Sequence, residues 1–300
     1  MARKRKGNKI DGWLIIDKPL GISSAKVVGS VKFHTKAQKV GHGGTLDPLA
    51  SGILPIGLGE ATKTMPYIVD ASKEYAFTVQ WGTATDSDDK EGEVIETGGR
   101  TPSKEEVENL LPQFTGSIEQ VPPAYSAIKV DGQRAYKLAR DGEKVELKAR
   151  TVEIQSLKIT DFNEKANEAS FHVTCGKGTY IRSLGRDIAK ALGTCAHITV
   201  LRRLRVGPFT LDKAISLEKL EELGHSARAV EALLPVTTAL DDIPVLAVTE
   251  TEAQEIRFGR SFQTSKAKRD GTYVLMAGDT PLAIAEASDE LVRPLRVFNM

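Results

Sequence analysis

Cysteine is almost missing from this chain: Cys175 and Cys195 are the only two in 300 residues. Two thiols exclude a disulfide framework or a four-cysteine zinc site, and they read as buried free thiols. Long apolar runs are missing too. The longest, such as Ile53 to Leu58 and Ile243 to Val248, fall well short of the roughly 18 residues that suggest a membrane span. The start, Met1-Ala2-Arg3-Lys4-Arg5-Lys6, is basic, but no apolar segment follows it, so the pattern of a secretory leader is lacking. The expectation is a cytoplasmic protein. No internal repeat is visible, and net charge is close to nil at +1.

Catalytic signatures of several common classes are lacking as well. There is no Gly-x-Ser-x-Gly elbow, no His-Glu-x-x-His and no Cys-x-x-Cys, which removes the usual serine-hydrolase, zinc-protease and dithiol readings. No Gly-Lys-Ser/Thr opens a helix, and Gly57-x-Gly59 has no third glycine, so phosphate-loop and dinucleotide readings fail. The acidic run Asp86-x-Asp88-Asp89-x-Glu91-Gly92 resembles a calcium loop only superficially, because Lys90 fills a ligand slot and the glycine comes one position late. It reads as a surface turn, although Asp86 follows a strand closely enough to point into a site.

What is present is an ordinary globular composition, 40% hydrophobic and 27% charged, long enough for one large domain with an appendage. Charge is unevenly distributed. Between Cys175 and Val206 stand seven basic residues (Lys177, Arg182, Arg186, Lys190, Arg202, Arg203, Arg205) against Asp187 alone, whereas Asp86 to Glu96 holds six acids and Lys90. Such polarity suits a protein that lays one face along a polyanion.

Strands are predicted over Trp13–Ile16, Glu74–Trp81, Val152–Thr160, Ala169–Thr174 and Ala196–Val206. Helices are predicted after Ser23/Ser24 and over Ala61–Val69, Lys104–Leu111, Tyr180–Leu192, Leu217–Leu223 and Ala227–Leu234. Val40 to Gly59 reads as glycine-rich and irregular. Residues 121–150, with Pro122-Pro123, Asp131-Gly132 and scattered Arg and Lys, read as an exposed basic insertion. Past a boundary near Asp241 to Pro244, one helix over Thr249–Phe258 and three short strands imply a small β-rich domain. The class is mixed α+β, without regular βαβ alternation.

The densest motif runs Gly41-His42-Gly43-Gly44-Thr45-Leu46-Asp47-Pro48-Leu49-Ala50-Ser51-Gly52, on to Gly59-Glu60-Ala61-Thr62-Lys63. Glycines at this density allow positive φ and close approach to a ligand, and an acid before proline is held in an extended or turn conformation. The loop therefore presents Asp47. Taken alone, an aspartate in such a loop is more often a turn-former than a catalyst.

This run resembles the catalytic motif of bacterial pseudouridine synthases of the tRNA pseudouridine synthase B type. Asp17-Lys18-Pro19-x-Gly21-x-Ser23-Ser24, Lys73-Glu74-Tyr75, Pro122-Pro123-x-Tyr125-Ser126-Ala127-x-Lys129 with Arg134-Ala135-Tyr136, Gly178-Thr179-Tyr180-Ile181-Arg182, and Leu201-Arg202-Arg203 resemble its other motifs, in its order. Gly43 departs from the family's usual threonine and is expected to loosen the loop. The resemblance implies a pseudouridine synthase fold with a mixed, mainly antiparallel sheet and flanking helices. It divides the chain into a basic tail (1–10), a catalytic domain (11–242) carrying the 121–150 insertion, and a PUA-like domain (243–300).

The implied activity is conversion of uridine to pseudouridine in the T-loop of tRNA, position 55, after base flipping. Asp47 is the implied nucleophile, or the base that starts glycal formation; Arg182 would hold its carboxylate ionised. Tyr75 would stack on the base and take the C5 proton, Tyr180 and Leu201 would wall the pocket, and His42 would fill the place the base left. Lys18 and Lys63 would support the loop or meet phosphates, and the 177–205 face with the insertion would grip RNA. Isomerisation has no net redox change or hydrolysis, so no cofactor or metal is called for. The implied partner is the tRNA T-arm stem-loop, bound by a monomer without an obligate protein partner. An RNA-guided pseudouridine synthase and a non-catalytic tRNA-binding or folding factor are the competing readings.

Overall fold

The computed structural model describes residues 7–130, 132–143, 145–224 and 228–300. Residues 1–6 of the basic tail, Asp131, Lys144 and Ala227 lie outside them. Among the described residues no helix is long and apolar enough to cross a membrane.

A nine-stranded mixed sheet organises the larger part of the chain. Strand β1 (Gly12–Lys18) forms one edge and pairs antiparallel with β3 (Ala50–Leu58). Next come Ala196–Val206, β4 (Lys73–Trp81), Glu168–Cys175, Arg150–Asn163 and Gly116–Gln120, with short β2 (Val40–His42) on β3 and Phe209–Thr210 on Ala196–Val206. All pairings are antiparallel except that of Ala196–Val206 with β3, where Leu201 to Arg203 run parallel to Ala50 to Gly52. The strands form because apolar side chains alternate along them. In Glu168–Cys175, Ala169, Phe171, Val173 and Cys175 are buried while their neighbours are not. Phe171 stacks on Phe77 at 5.0 Å and meets Trp81 edge-on at 6.5 Å, which centres the main core on the middle of the sheet.

Helix α1 (Ser24–Thr35) is capped by Ser23, whose side chain accepts from Lys26 N–H, and it buries Val27 and Val31. The helix Ile181–Ala191 buries its Ile181, Leu184 and Ile188 side beneath Ala196–Val206. A second sheet, in the order Val245–Ala247, Gly271–Ala277, Thr280–Ser288, Leu291–Val297, Phe262–Gln263, carries the helix Glu250–Arg257. Its Val274, Ile284 and Phe298 share a core with Trp13, Ile53 and Phe209 of the larger sheet.

Most predicted elements are found within a few residues of their expected ends, but the stretch predicted as irregular is not. Residues 50–58 are a fully formed strand, buried at every position but one. Its glycines and proline have local reasons. Gly52 adopts φ +100°, and any Cβ there would lie 2.1 Å from the Arg203 carbonyl oxygen, so the parallel neighbour can approach only a glycine. On the side away from β1, residues 50–52 pair with Ala196–Val206 and 56–58 with β2, leaving Ile53 to Pro55 without a strand. The Pro55 carbonyl points into that gap and accepts from Gly43 N–H at 2.8 Å. The missing N–H of Pro55 faces the same way, where no ladder bond is lost. The helix predicted over 61–69 divides into a 3₁₀ turn, Gly59–Lys63, and an α-helix, Met65–Asp70. The strand Gly116–Gln120 and the hairpin Thr83–Thr85/Val94–Thr97 were not predicted.

Candidate active site

The gap in the sheet is where the loop between β2 and β3 leaves the surface carrying Asp47. Four anchors hold it. Ser24 Oγ donates to Leu46 O at 2.9 Å and accepts from Leu46 N–H at 2.8 Å. Gly21 N–H donates to Pro48 O at 2.8 Å. Lys18, with no exposed surface, directs its ammonium at the carbonyls of Pro19, Ile22 and Pro48. Arg203, 2% exposed, fills the gap beside β3: Nε donates to Ile53 O at 2.7 Å, and its Nη atoms reach Gly44 O and Thr45 O. A buried guanidinium that satisfies three carbonyls fixes the loop, whose turn at Asp47 is closed by Ala50 N–H donating to Asp47 O at 3.0 Å.

Asp47 stands at the bottom of a cleft of about 730 Å³. Arg182, at the first turn of Ile181–Ala191, donates from Nη2 to Asp47 Oδ2 at 2.8 Å; the arginine side chain is 4% exposed and the aspartate 36%. The guanidinium is held from behind as well. Its Nη1 donates to Ser87 O at 2.8 Å and lies 3.4 Å from Asp89 Oδ2, and its Nη2 also donates to Tyr125 O at 2.8 Å. Asp89 is itself buried, accepting from Ser87 Oγ at 2.7 Å and Glu91 N–H at 3.0 Å. One cation thus lies between a buried acid that cannot reach solvent and a partly open acid that can reach a ligand.

Of the other predicted site residues, His42 lines the cleft. Burial, then the Arg203 charge, push its imidazole below the ordinary range, so it is neutral at pH 7. Tyr75 and Tyr180 are not among the residues that line the cleft, although both are near enough to Asp47 to feel its charge. Burial raises both phenols, and the charge of Arg203 opposes this at Tyr75. Tyr180 is fixed through its main chain, its N–H and C=O both bonded to the Gln120 amide at 2.8 and 3.1 Å. Leu201 is buried in the core against which Tyr75 packs. Lys18 is a strut and not a phosphate ligand, because its ammonium is enclosed by carbonyls; burial lowers it to about 8 against the pull of Asp47. Lys63 is not brought to the cleft at all. It pairs with Glu60 and donates to Val297 O at 2.7 Å, clipping the second sheet to the first.

Most of the expected basic face is paired with acids. Arg182, Arg186, Arg202, Arg205 and Lys177 face Asp47/Asp89, Asp88, Asp17, Glu74 and Asp70 respectively, and Arg203 is buried. Among the described residues Arg203 and Lys190 are the two of the seven without an acid partner. The acidic run read as a surface turn supplies two of these partners, Asp88 and Asp89. Asp86, Asp89, Glu91 and Glu93 line the cleft, and Asp86 accepts from Tyr125 OH at 2.8 Å. Sequence reading missed Asp89 and Arg203 as supports. The signal for Arg203 was available: it lies two residues from Leu201 on a strand, hence on the same face as a core residue.

Comparison with known proteins decides the family. Residues 32–181 match the TruB family pseudouridylate synthase (N terminal domain), and residues 182–241 match the tRNA pseudouridylate synthase B C-terminal domain. The chain belongs to the TruB family. It is 50% identical over 310 residues to a Caulobacter vibrioides protein named tRNA pseudouridine synthase B, covering all of both chains. To the protein of that name from Rhodospirillum rubrum it is 47% identical over 309 residues, again covering all of both. Among solved structures, one described as a Cbf5-Nop10-Gar1 complex aligns with a TM-score of 0.73 at 26% identity, covering 95% of this chain and 84% of the other. Another, an H/ACA RNP bound to a substrate RNA containing 2'-deoxyuridine, aligns at 0.73 and 23% identity over 100% and 92%, which speaks to fold alone. The mixed sheet with its flanking helices is the pseudouridine synthase fold, and the small C-terminal sheet is PUA-like.

The TruB motif's usual threonine is replaced here by Gly43, and the structure gives the reason. A Cβ at residue 43 would lie 2.6 Å from Ile68 Cγ2. Ile68, buried on Met65–Asp70, fills the space such a side chain would need. The loop is not loosened, since Gly43 N–H is bonded to Pro55 O.

Proposed function

We propose that this chain converts uridine 55 of the tRNA T-loop to pseudouridine, flipping the nucleotide into the cleft beside Asp47. Uridine isomerisation in tRNA is the activity of the family; the target position and the residue roles are our reading. The observation that carries it is the Asp47–Arg182 pair, 2.8 Å apart at the floor of a cleft, with the arginine fully enclosed and the aspartate open. The reaction breaks the C1′–N1 bond, turns the base, forms C1′–C5, and moves one proton from C5 to solvent while N1 gains one. Nothing is oxidised, reduced or hydrolysed. Asp47 serves as nucleophile or as the base that starts glycal formation, and both routes need its carboxylate ionised. Burial holds the Tyr75 phenol protonated, which suits stacking on the base; to take the C5 proton it must first release its own to solvent, and the Arg203 charge is what favours that phenolate. His42, neutral, occupies the cleft wall where a flipped base leaves its stack.

We place the catalytic domain at 11–242 with the 121–150 insertion contributing Tyr125, Arg134, Tyr136 and Arg140 to the cleft, the PUA-like domain at 243–300, and the working form as a monomer of 32.5 kDa. The test is to incubate the protein alone with unmodified tRNA transcript and map pseudouridine. Product at position 55 without guide RNA is expected, and Asp47→Asn should bind tRNA with unchanged Kd yet form none. Product only with a guide RNA, or loss of binding in step with activity, would sink this reading.

A further inference from the structure

Five of the seven basic residues of 177–205 are paired with acids, so a basic run elsewhere, beyond Arg134 and Arg140 of the cleft, is a candidate grip on RNA. The longest acid-free stretch of the chain is 18–46, between Asp17 and Asp47, and apart from buried Lys18 it carries Lys26, Lys32, Lys36 and Lys39. All four are exposed, and among the described residues none forms an ion pair. Lys26 and Lys32 lie on α1, and Lys36 is its C-cap residue. At 3.6 residues per turn, Ala25, Lys26, Gly29, Lys32, Phe33 and Lys36 fall within about one third of the helix circumference, and all six are exposed, whereas Val27, Val31 and Thr35 on the other side are buried. Phe33 is 66% exposed in the middle of this face, its ring edge-on to that of His34 at 5.1 Å. Around Gly29 there is open space, with nothing within 4 Å of a Cβ built there, so a rigid backbone can come close. The face begins at the cleft, since Ser23, Ser24 and Ala25 line it, and extends about 18 Å from there at 1.5 Å per residue.

We propose that this outer face of α1 is a docking track for the substrate RNA strand leaving the cleft, with Lys26, Lys32 and Lys36 against phosphates and Phe33 stacked on an unpaired base. The inference rests on the reading of Asp47 as the site where the nucleotide is flipped. Lysines spaced along a helix with no acid among them give a sequence-independent grip, and an exposed aromatic ring among them is the platform single-stranded nucleic acid uses.

The test compares wild type with Lys26→Ala/Lys32→Ala/Lys36→Ala, its all-arginine counterpart, and Phe33→Ala, measuring tRNA Kd across a salt series and single-turnover rate at saturating tRNA. For the alanine triple, the slope of log Kd against log salt should fall by about 2, and affinity at low salt should drop at least about tenfold. The arginine triple should keep the wild-type slope. Phe33→Ala should weaken binding about fivefold or more. All variants should turn over at the wild-type rate once saturated. An unchanged slope in the alanine triple overturns the proposal, as does an equal loss in the arginine triple or a rate deficit that saturation does not restore. A wild-type protein that binds tRNA but forms no pseudouridine would count against the proposed function, while the slope comparison would still decide this track.

Discussion

Residue 43 and residue 68 have to be understood together. A side chain at 43 collides with Ile68, so Gly43→Thr should cost about 1–3 kcal/mol in urea unfolding through overpacking and lower the turnover rate by shifting the Asp47 loop. Ile68→Ala should restore much of both losses when combined with it, although alone it leaves a cavity. Two fully additive penalties would show that the contact is not what makes glycine fit. Lys73 gives a residue-scale pH dependence. Its ammonium donates to Val69 O and to Ala71 O, and burial lowers it from 10.5 to about 8. The folded state therefore binds this proton less well than the unfolded chain. The penalty is fully present below pH 8 and is relieved as pH rises from 8 towards 10.5, so this group makes stability rise with pH in that window. Unfolding free energies of wild type and Lys73→Met, measured between pH 7.5 and 10, should show a flatter pH dependence in the variant.

At the scale of elements, the hairpin-borne acids and the helix Ile181–Ala191 act as one unit. Asp89→Asn should leave the Ser87 and Glu91 hydrogen bonds near residue 89 possible but remove the charge behind Arg182. Breaking a buried pair of this kind costs about 3 kcal/mol or more, and the freed guanidinium should lower the single-turnover rate with little change in tRNA affinity. A rate equal to wild type would show that Asp47 alone positions Arg182. This pairing was not legible in the sequence, because residues 86–89 and 182–186 are about a hundred positions apart and each run by itself reads as a solvated charged surface. Asp47, Arg182 and the alternating strands were legible, since motif order and local periodicity reveal them. Strand β3 was not: its Gly52 and Pro55 are loop residues by composition, and only the close parallel neighbour and the unpaired gap beside Ile53 to Pro55 make them strand residues. The acid-free stretch of α1 needed no structure to be counted, but which of its lysines share a face with Phe33 did.

For the whole molecule, the two sheets are joined by a common core and by Lys63, which reaches Val297 O, while Glu60 accepts from Asn299 N–H at 2.7 Å. Phe298, 5% exposed at that junction, should behave as an interior residue of the full chain. Phe298→Ala should lower stability by about 3 kcal/mol, with the Tm falling in one cooperative transition; two separated transitions in calorimetry would mean that the sheets unfold independently.

Trp13 and Trp81, both buried, are the only tryptophans of the chain. Trp13 lies 5.3 Å from Phe209 in the core shared by the two sheets, and Trp81 lies in the main core against Phe171. The protein therefore carries one tryptophan in each of these two cores. With Trp13→Phe or Trp81→Phe, the emission of the remaining indole reports on a single core, so melting at the junction and melting of the central sheet can be followed separately without an added label.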